Sequence, residues 1–254
     1  MECLGRIRQM QGKIGFYYKP LDGTAVMFNE DMPLVAASVI KIPVMVEAFR
    51  RFGDGTLDPD AEVEILPGMK KPSCGALTYM HDGLKVTVRD LVVLMIIVSD
   101  NTATNLLIDM LGVEAVNRTM EQHGIPGICL RRKLFEPELA RQGIQNTITA
   151  RGVGMLLEKM AQGELLGNSA DEEMLRIMSD QRLNGKLPFF LHSMGVRIAH
   201  KTGEDDETTH DVGVIYAKRP FVVCMLSNDV DVAQFERLMQ DTALELYRLN
   251  DERG

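Results

Sequence analysis

Ala36-Ala37-Ser38-Val39-Ile40-Lys41-Ile42-Pro43-Val44 is the stretch on which the reading of this chain turns. It places a hydroxyl at the mouth of an apolar run and, three residues on, a single cation. Residues i and i+3 of a helix share a face, so Lys41 can reach the Ser38 hydroxyl. A serine becomes a useful nucleophile only when a neighbouring base takes its proton. With an ordinary pKa near 10.4, holding a lysine neutral at pH 7 costs about 4.6 kcal/mol. Burial lowers a lysine by ~3–5 units and a nearby cation lowers it further; the packed residues Val39-Ile40 and Ile42 to Val44 provide the burial. Alone, the pair reads equally as an N-capping serine beside a solvated lysine. Pro43 lacks the N–H that would bond the Val39 carbonyl, so the helix starts late or bends there.

Two further motifs follow in order: Ser99-Asp100-Asn101 and Lys201-Thr202-Gly203. With these residue types at roughly 5–7% each, a Ser-x-x-Lys arises about once by chance in a chain of this length. All three motifs in this order amount to roughly a one-in-a-thousand accident. Ser99 to Asn101 ends one apolar helix and precedes another, where a polar turn that caps the second helix is the plain alternative. At Lys201-Thr202-Gly203 a cation and a hydroxyl suit a substrate carboxylate, and a glycine admits close approach of the backbone to a ligand; a strand entering a turn is the alternative.

Together the motifs resemble the penicilloyl-serine transferase superfamily, and their spacing resembles its class A β-lactamase branch. That branch carries a glutamate in a loop between the second and third motifs, and Phe135-Glu136-Pro137-Glu138-Leu139 stands in the matching place. Val98 to Leu107 and the closing Lys-Thr-Gly strand are similar throughout, so the resemblance covers nearly the whole chain. It points to signal-less class A-like serine hydrolases more than to the resistance enzymes.

The resemblance implies a β-lactamase/transpeptidase-like fold in which Ser38 is acylated with Lys41 at its side. Ser99 would pass a proton to the leaving nitrogen and Asn101 would bond the substrate amide, leaving Asp100 structural. Lys201, Thr202 and Gly203 would hold the substrate carboxylate, and the N–H groups of Ser38 and Glu204 would form the oxyanion hole, where losing one donor typically costs about 10²–10³ in rate. Glu136 would activate the water that releases the acyl group; the base for acylation is disputed in the family. Glu136 precedes a proline, which favours an extended or turn conformation, and a solvated loop acid is its alternative. Glu138 reads as surface.

The chain departs from the family pattern in places. An asparagine normally stands four residues after the loop glutamate, where it helps hold the hydrolytic water; here it is Ala140. The stretch Ala140 to Asn146 is short, and Asn146 takes the place of an aspartate whose salt bridge closes the loop. After Gly203 come Glu204-Asp205-Asp206-Glu207. These acids would repel a substrate carboxylate unless they point to solvent, and they would favour an amine-bearing substrate.

The bulk composition is that of an ordinary globular chain: 254 residues, 45% hydrophobic and 25% charged, enough for a large core. The net charge of −8 and the lack of a basic stripe exclude a nucleic-acid surface. No apolar run approaches 18 residues, so no membrane helix is expected. The opening residues show no export signal, which places the protein in the cytoplasm, or outside it if the chain is a processed form. Cys3, Cys74, Cys129 and Cys224 are scattered and expected to be reduced. Neither the five histidines nor the cysteines show metal-ligand spacing, and no metal or cofactor is implied. His200 and His210 read as ordinary strand positions beside the third motif.

Strand patterns run over Lys13 to Lys19, Thr24 to Asn29, Val196 to Lys201, His210 to Ala217 and Phe221 to Ser227, with amphipathic helices at the start and from Val232 to Leu249. Helical periodicity fills the middle near 38–51, 88–98, 102–111, 113–123, 150–162 and 171–181. The expected fold is therefore α+β: a discontinuous α/β lobe with an antiparallel sheet, 1–34 plus 190–254, around an inserted all-helical lobe, 35–189, with the active site in the cleft between them. The expected function is a monomeric serine hydrolase acting on a small molecule, a β-lactam by resemblance. A D-alanyl peptidase or esterase on a cytoplasmic substrate, and a slowly deacylating penicillin-binding sensor, are the alternatives.

Overall fold

The computed structural model describes residues 1–252. The chain opens with α1 (Glu2–Gln9), β1 (Lys13–Pro20), β2 (Val26–Phe28) and β3 (Leu34–Val35). A 3₁₀ turn over Ala37–Ile40 leads into α2 (Lys41–Asp54), followed by β4 (Glu62–Ile65) and β5 (Leu84–Thr87). Helices α3 (Val88–Ile97), α4 (Asn101–Leu111), α5 (Val113–Gln122) and α6 (Pro137–Arg141) follow, then β6 (Thr147–Ile148), α7 (Ala150–Ala161) and α8 (Asn168–Ser179). The chain closes with β7 (Ile198–Asp205), β8 (Thr208–Ile215), β9 (Phe221–Asn228) and α9 (Val232–Glu252).

The two ends of the sequence share one five-stranded sheet of order β2-β1-β9-β8-β7, antiparallel throughout. Side chains of a strand alternate between faces, and here both faces are covered. Val222, Cys224 and Leu226 of β9 join the larger core against the helices, while Phe221, Val223 and Met225 join a second core under α1 and α9. Full burial of each such large side chain contributes roughly 1.5–3 kcal/mol, so a few of them offset the cost of keeping one buried lysine neutral.

The middle of the chain is not wholly helical. It carries two short antiparallel ladders, β3 with β6 and β4 with β5. Strand-like patches of four residues or fewer fall below what periodicity resolves. The helix predicted from Ser38 begins as a 3₁₀ turn and becomes α-helical only at Lys41, which leaves Pro43 in the first turn, where its missing N–H costs least. Strand β7 runs four residues past Lys201, because Glu204 and Asp205 keep their pairing with Thr209 and Thr208. The third motif therefore lies within a strand, and the hairpin tip is Asp206-Glu207. Among the described residues, no helix is long and apolar enough to cross a membrane. The final two residues of the expected 190–254 segment lie outside the described residues.

Candidate active site

The turn that carries Ser38 is fixed from three sides. Val35 N donates to Asn228 Oδ1 at 2.8 Å, Val35 O accepts from His210 Nε2 at 2.8 Å, and Ala36 N donates to Asn146 O at 2.9 Å. Ala37, just before the serine, holds φ at 43°. A residue without a glycine's freedom is strained in that region. Ser99 (φ 54°) and Phe135 (φ 59°), which precedes Glu136, are strained in the same way. Three left-handed residues thus stand at or next to predicted site residues, which is where backbone strain tends to concentrate.

Lys41 is fully buried, and its Nζ is shared among Ser99 O at 2.7 Å, Asn101 Oδ1 at 2.8 Å and Ser99 Oγ at 2.9 Å. The expected Lys41–Ser38 hydrogen bond is not among those formed. Ser38 belongs to the 3₁₀ turn rather than to α2, and the lysine points across to the second motif instead. Lys201 is also fully buried and donates to Ser99 Oγ at 3.1 Å and to its neighbour's carbonyl, Thr202 O, at 2.7 Å. The first and third motifs therefore meet at the second.

Electrostatics follow from this geometry. Burial, and next the Lys201 charge, push Lys41 well below the usual lysine range. Lys201 is pushed down to about 7, mainly by burial; Asp211 opposes the shift and Lys186 adds to it. A neutral Lys41 has a lone pair, so the Ser99 hydroxyl can then donate to Lys41 while accepting from Lys201.

Asp100 caps α4. Its carboxylate accepts from Ala103 N at 2.9 Å, Ala76 N at 2.7 Å and Leu77 N at 2.8 Å, which ties the 74–77 loop to the second motif. Asn101 Nδ2 donates to Pro72 O at 3.1 Å. Gly203 serves packing as much as ligand access: a Cβ there would lie 3.0 Å from His210 Cδ2, 3.2 Å from Val39 Cγ2 and 3.3 Å from Ala37 Cβ. The glycine lets β7 come up against the Ser38 turn.

A cavity of about 830 Å³ opens here, lined among others by Ser38, Asn101, Glu136, Ala140 and Glu204. Lys41, Ser99, Lys201, Thr202 and Gly203 lie behind that surface. Glu136 is half-buried, and its Oε2 accepts from Lys133 N at 2.9 Å. Glu138 points outward and pairs with Arg141 at 2.5 Å. Asn146 closes the loop without a charge: its Oδ1 accepts from Arg131 N and Arg132 N at 2.7 and 3.1 Å, and its Nδ2 donates to Arg132 O at 3.0 Å.

Several positions escaped the sequence reading. Asn105 grips the loop just before Glu136, accepting from Leu134 N and donating to Leu134 O, both at 2.8 Å. Its place four residues after Asn101, on the same helix face, was the available signal. Cys74 lines the cavity beside Lys70 and Lys71, and Lys186 lies behind Glu204; nothing in the local sequence marks either. His200 bonds Asp211 and Asn184, and His210 bonds Val35 and Ser227, all within the scaffold.

A family model for the beta-lactamase enzyme family matches residues 4–249. A β-lactamase of Streptomyces fradiae is 30% identical over 243 residues, covering 86% of this chain and 76% of that protein. A shorter match of 26% identity covers 45% of this chain and only 37% of the β-lactamase regulatory protein BlaB of Streptomyces cacaoi. Among solved structures, the β-lactamase of Sphaerobacter thermophilus superposes with a TM-score of 0.90 at 26% identity, over 98% of this chain and 95% of that one. A mutant of PBP-A, in an acyl-enzyme complex with penicillin G, superposes with a TM-score of 0.87 at 27% identity over 99% and 95%. The β-lactamase/transpeptidase-like fold, the motifs drawn to one cleft and these matches along the chain converge: the chain belongs to the beta-lactamase enzyme family and is a serine β-lactamase-like hydrolase.

Proposed function

We propose that the protein hydrolyses β-lactams through an acyl-enzyme on Ser38, in a cleft between one lobe formed by 1–34 with 190–254 and another formed by 35–189. The observation that carries this reading is the convergence of Lys41 and Lys201 on Ser99 Oγ, behind a cavity lined by Ser38 and Glu136.

Ser38 Oγ attacks the ring carbonyl as its proton passes to a base, neutral Lys41 or Glu136 through a water. The N–H groups of Ser38 and Glu204 stabilise the oxyanion. As the ring C–N bond breaks, the nitrogen takes a proton from Ser99 Oγ. Lys41 restores it with the proton that left Ser38, taken up directly or handed on from Glu136, which leaves Glu136 a free carboxylate. The substrate carboxylate sits against Lys201 and Thr202, with Gly203 admitting the strand, and its amide against Asn101. Water then gives a proton to Glu136 and attacks the ester carbon, which frees Ser38 and returns the proton.

A second reading, a sensor that acylates and stays acylated, is favoured by one observation. Ala140 offers a methyl group to the cavity where an amide would hold the water. A peptidase or esterase draws support from the acids Asp205 and Asp206 on the cavity wall. We place the protein as a monomer in the cytoplasm; its four free cysteines suit a reducing compartment.

Turnover of a chromogenic cephalosporin, with intact-mass spectra taken over time in penicillin G, tests these readings. Turnover with a transient adduct on Ser38 is expected. An adduct that lasts for hours makes the protein a sensor, and the absence of both turnover and adduct removes the β-lactam reading.

A further inference from the structure

Asn146 closes the Glu136 loop without a charge, and this leaves a guanidinium on the cavity wall that no carboxylate neutralises. Arg132 lines the cavity and is half-buried. Its Nε donates to Ile144 O at 2.9 Å, its Nη1 to Lys133 O at 3.0 Å and its Nη2 to Gln145 Oε1 at 2.6 Å. All three acceptors are neutral, and Arg132 forms no ion pair among the described residues. A guanidinium carries five N–H groups, so two remain for a ligand once these bonds are made. The 70–74 loop adds Lys71 to the lining, again without an ion pair among the described residues, whereas its neighbour Lys70 is held by Asp82 at 2.6 Å.

Neutral acceptors fix a guanidinium without cancelling its charge. Arginine stays protonated at any working pH, so Arg132 is a permanent cation already held in place, and an anion that meets it orders little further side chain. Hydrogen bonds to such a group are roughly twice as strong as those between neutral partners. Glu136 shares the loop wall, but its Oε2 is engaged by Lys133 N at 2.9 Å rather than by the guanidinium. Asp205 and Asp206 stand at the end of β7, exposed and without ion pairs among the described residues. An anionic arm is therefore repelled from the β7 end and drawn to the loop wall, with Lys71 adding to the attraction.

We propose that Arg132 forms a second anion subsite and that the enzyme favours dianionic substrates, with one carboxylate at Lys201 and Thr202 and another on the acyl arm that reaches the loop wall. The inference rests on the reading of Ser38 as the residue acylated by a β-lactam. It makes Arg132 a specificity-determining residue that holds the acyl arm and leaves bond making to Ser38 and its partners.

Penicillin G and its α-carboxy derivative differ by one carboxylate on the acyl arm. The ratio of their second-order acylation constants, dianion over monoanion, measured by time-resolved intact mass, therefore reads the subsite while losses common to both cancel. In wild type the ratio should fall as ionic strength is raised, since charges at a solvent-filled cavity are screened by salt. Arg132→Gln should lower it at least about fivefold. Gln145→Glu keeps an acceptor on Arg132 Nη2 but makes it a carboxylate, so it should lower the ratio about as far, and it decides the matter even if Arg132→Gln fails to fold. Equal slowing of both penicillins in Arg132→Gln means that the arginine only clamps the loop and overturns the proposal, as does an unmoved ratio in Gln145→Glu or a wild-type ratio indifferent to salt. If neither penicillin acylates wild type, the β-lactam reading falls and this inference with it; if both acylate and the ratio stays fixed across the variants, only this inference falls.

Discussion

Lys41 and Lys201 meet at one atom, Ser99 Oγ, at 2.9 and 3.1 Å, though 160 positions separate them in the chain. Two buried ammonium groups this close cannot both keep their protons cheaply, and burial with the Lys201 charge holds Lys41 well below the usual lysine range.

That relationship sets a pH profile. With Lys41 held well below the usual lysine range and Lys201 needed as a cation for the substrate carboxylate in the proposed mechanism, kcat/KM should fall with rising pH as Lys201 loses its proton at about 7. A bound carboxylate favours the charged lysine, so the falling limb of kcat should lie at higher pH than that of kcat/KM. Stopped-flow acylation across the pH range checks this; a flat profile from pH 6 to 9 would contradict it.

In the proposed mechanism Glu136 and Ala140 both bear on release of the acyl group. Glu136→Gln should slow deacylation by about 10²–10⁴-fold and let the adduct on Ser38 accumulate. Ala140→Asn should speed deacylation by about tenfold, the worth of one hydrogen bond to the water. Intact-mass decay after removal of free penicillin measures both.

Asn146 closes the Glu136 loop through three backbone hydrogen bonds to Arg131 and Arg132. Asn146→Ala should cost about 2–3 kcal/mol of stability by leaving those groups unpaired. Because the closure is uncharged, the wild-type loop should hold equally well in high salt. Urea unfolding and protease nicking of the loop, each at low and high ionic strength, decide this.

His210 is held as a neutral ring, with Nε2 donating to Val35 O and Nδ1 accepting from Ser227 N at 3.1 Å. Burial pushes its pKa down to about 4 from an ordinary 6.5. Between those values the unfolded chain binds the proton and the folded one does not, so this contribution is complete above pH 6.5 and is lost as pH falls towards 4. The loss should amount to about 3 kcal/mol, and it should shrink in His210→Gln. Denaturant melts between pH 4 and 7 compare the two, and an NMR titration of the ring reads the pKa directly.

Much of the fold was legible because its signals are local. Alternation marked β1, β8 and β9, and a 3.6-residue period marked α3, α4, α5, α7 and α9, each within a few residues of the observed ends. The short ladders β3–β6 and β4–β5 were not legible, since two to four residues show no period. The extension of β7 through Glu204-Asp205 was missed for another reason: acidic residues read as a turn, and only pairing with Thr209 and Thr208 makes them strand.

At the candidate site, helical spacing joined Ser38 to Lys41, the family resemblance added Ser99 and Lys201, and Ala140 and Asn146 were visible as departures from the family pattern. Their partners were not. The Lys41–Ser38 bond inferred from helical spacing gave way to a Lys41–Ser99 bond, because Pro43 and the 3₁₀ turn displace the serine from the helix face.

The sequence by itself determined which chemical groups this protein has and which segments are helix or strand, because those depend on neighbours a few residues away. Tertiary structure alone decided which groups share a proton or a charge: Lys41 with Lys201 through Ser99, Asn105 with the Glu136 loop, and Lys186 with Glu204. Burial and Coulomb forces act through space, and the distances that set them arise only when remote segments pack.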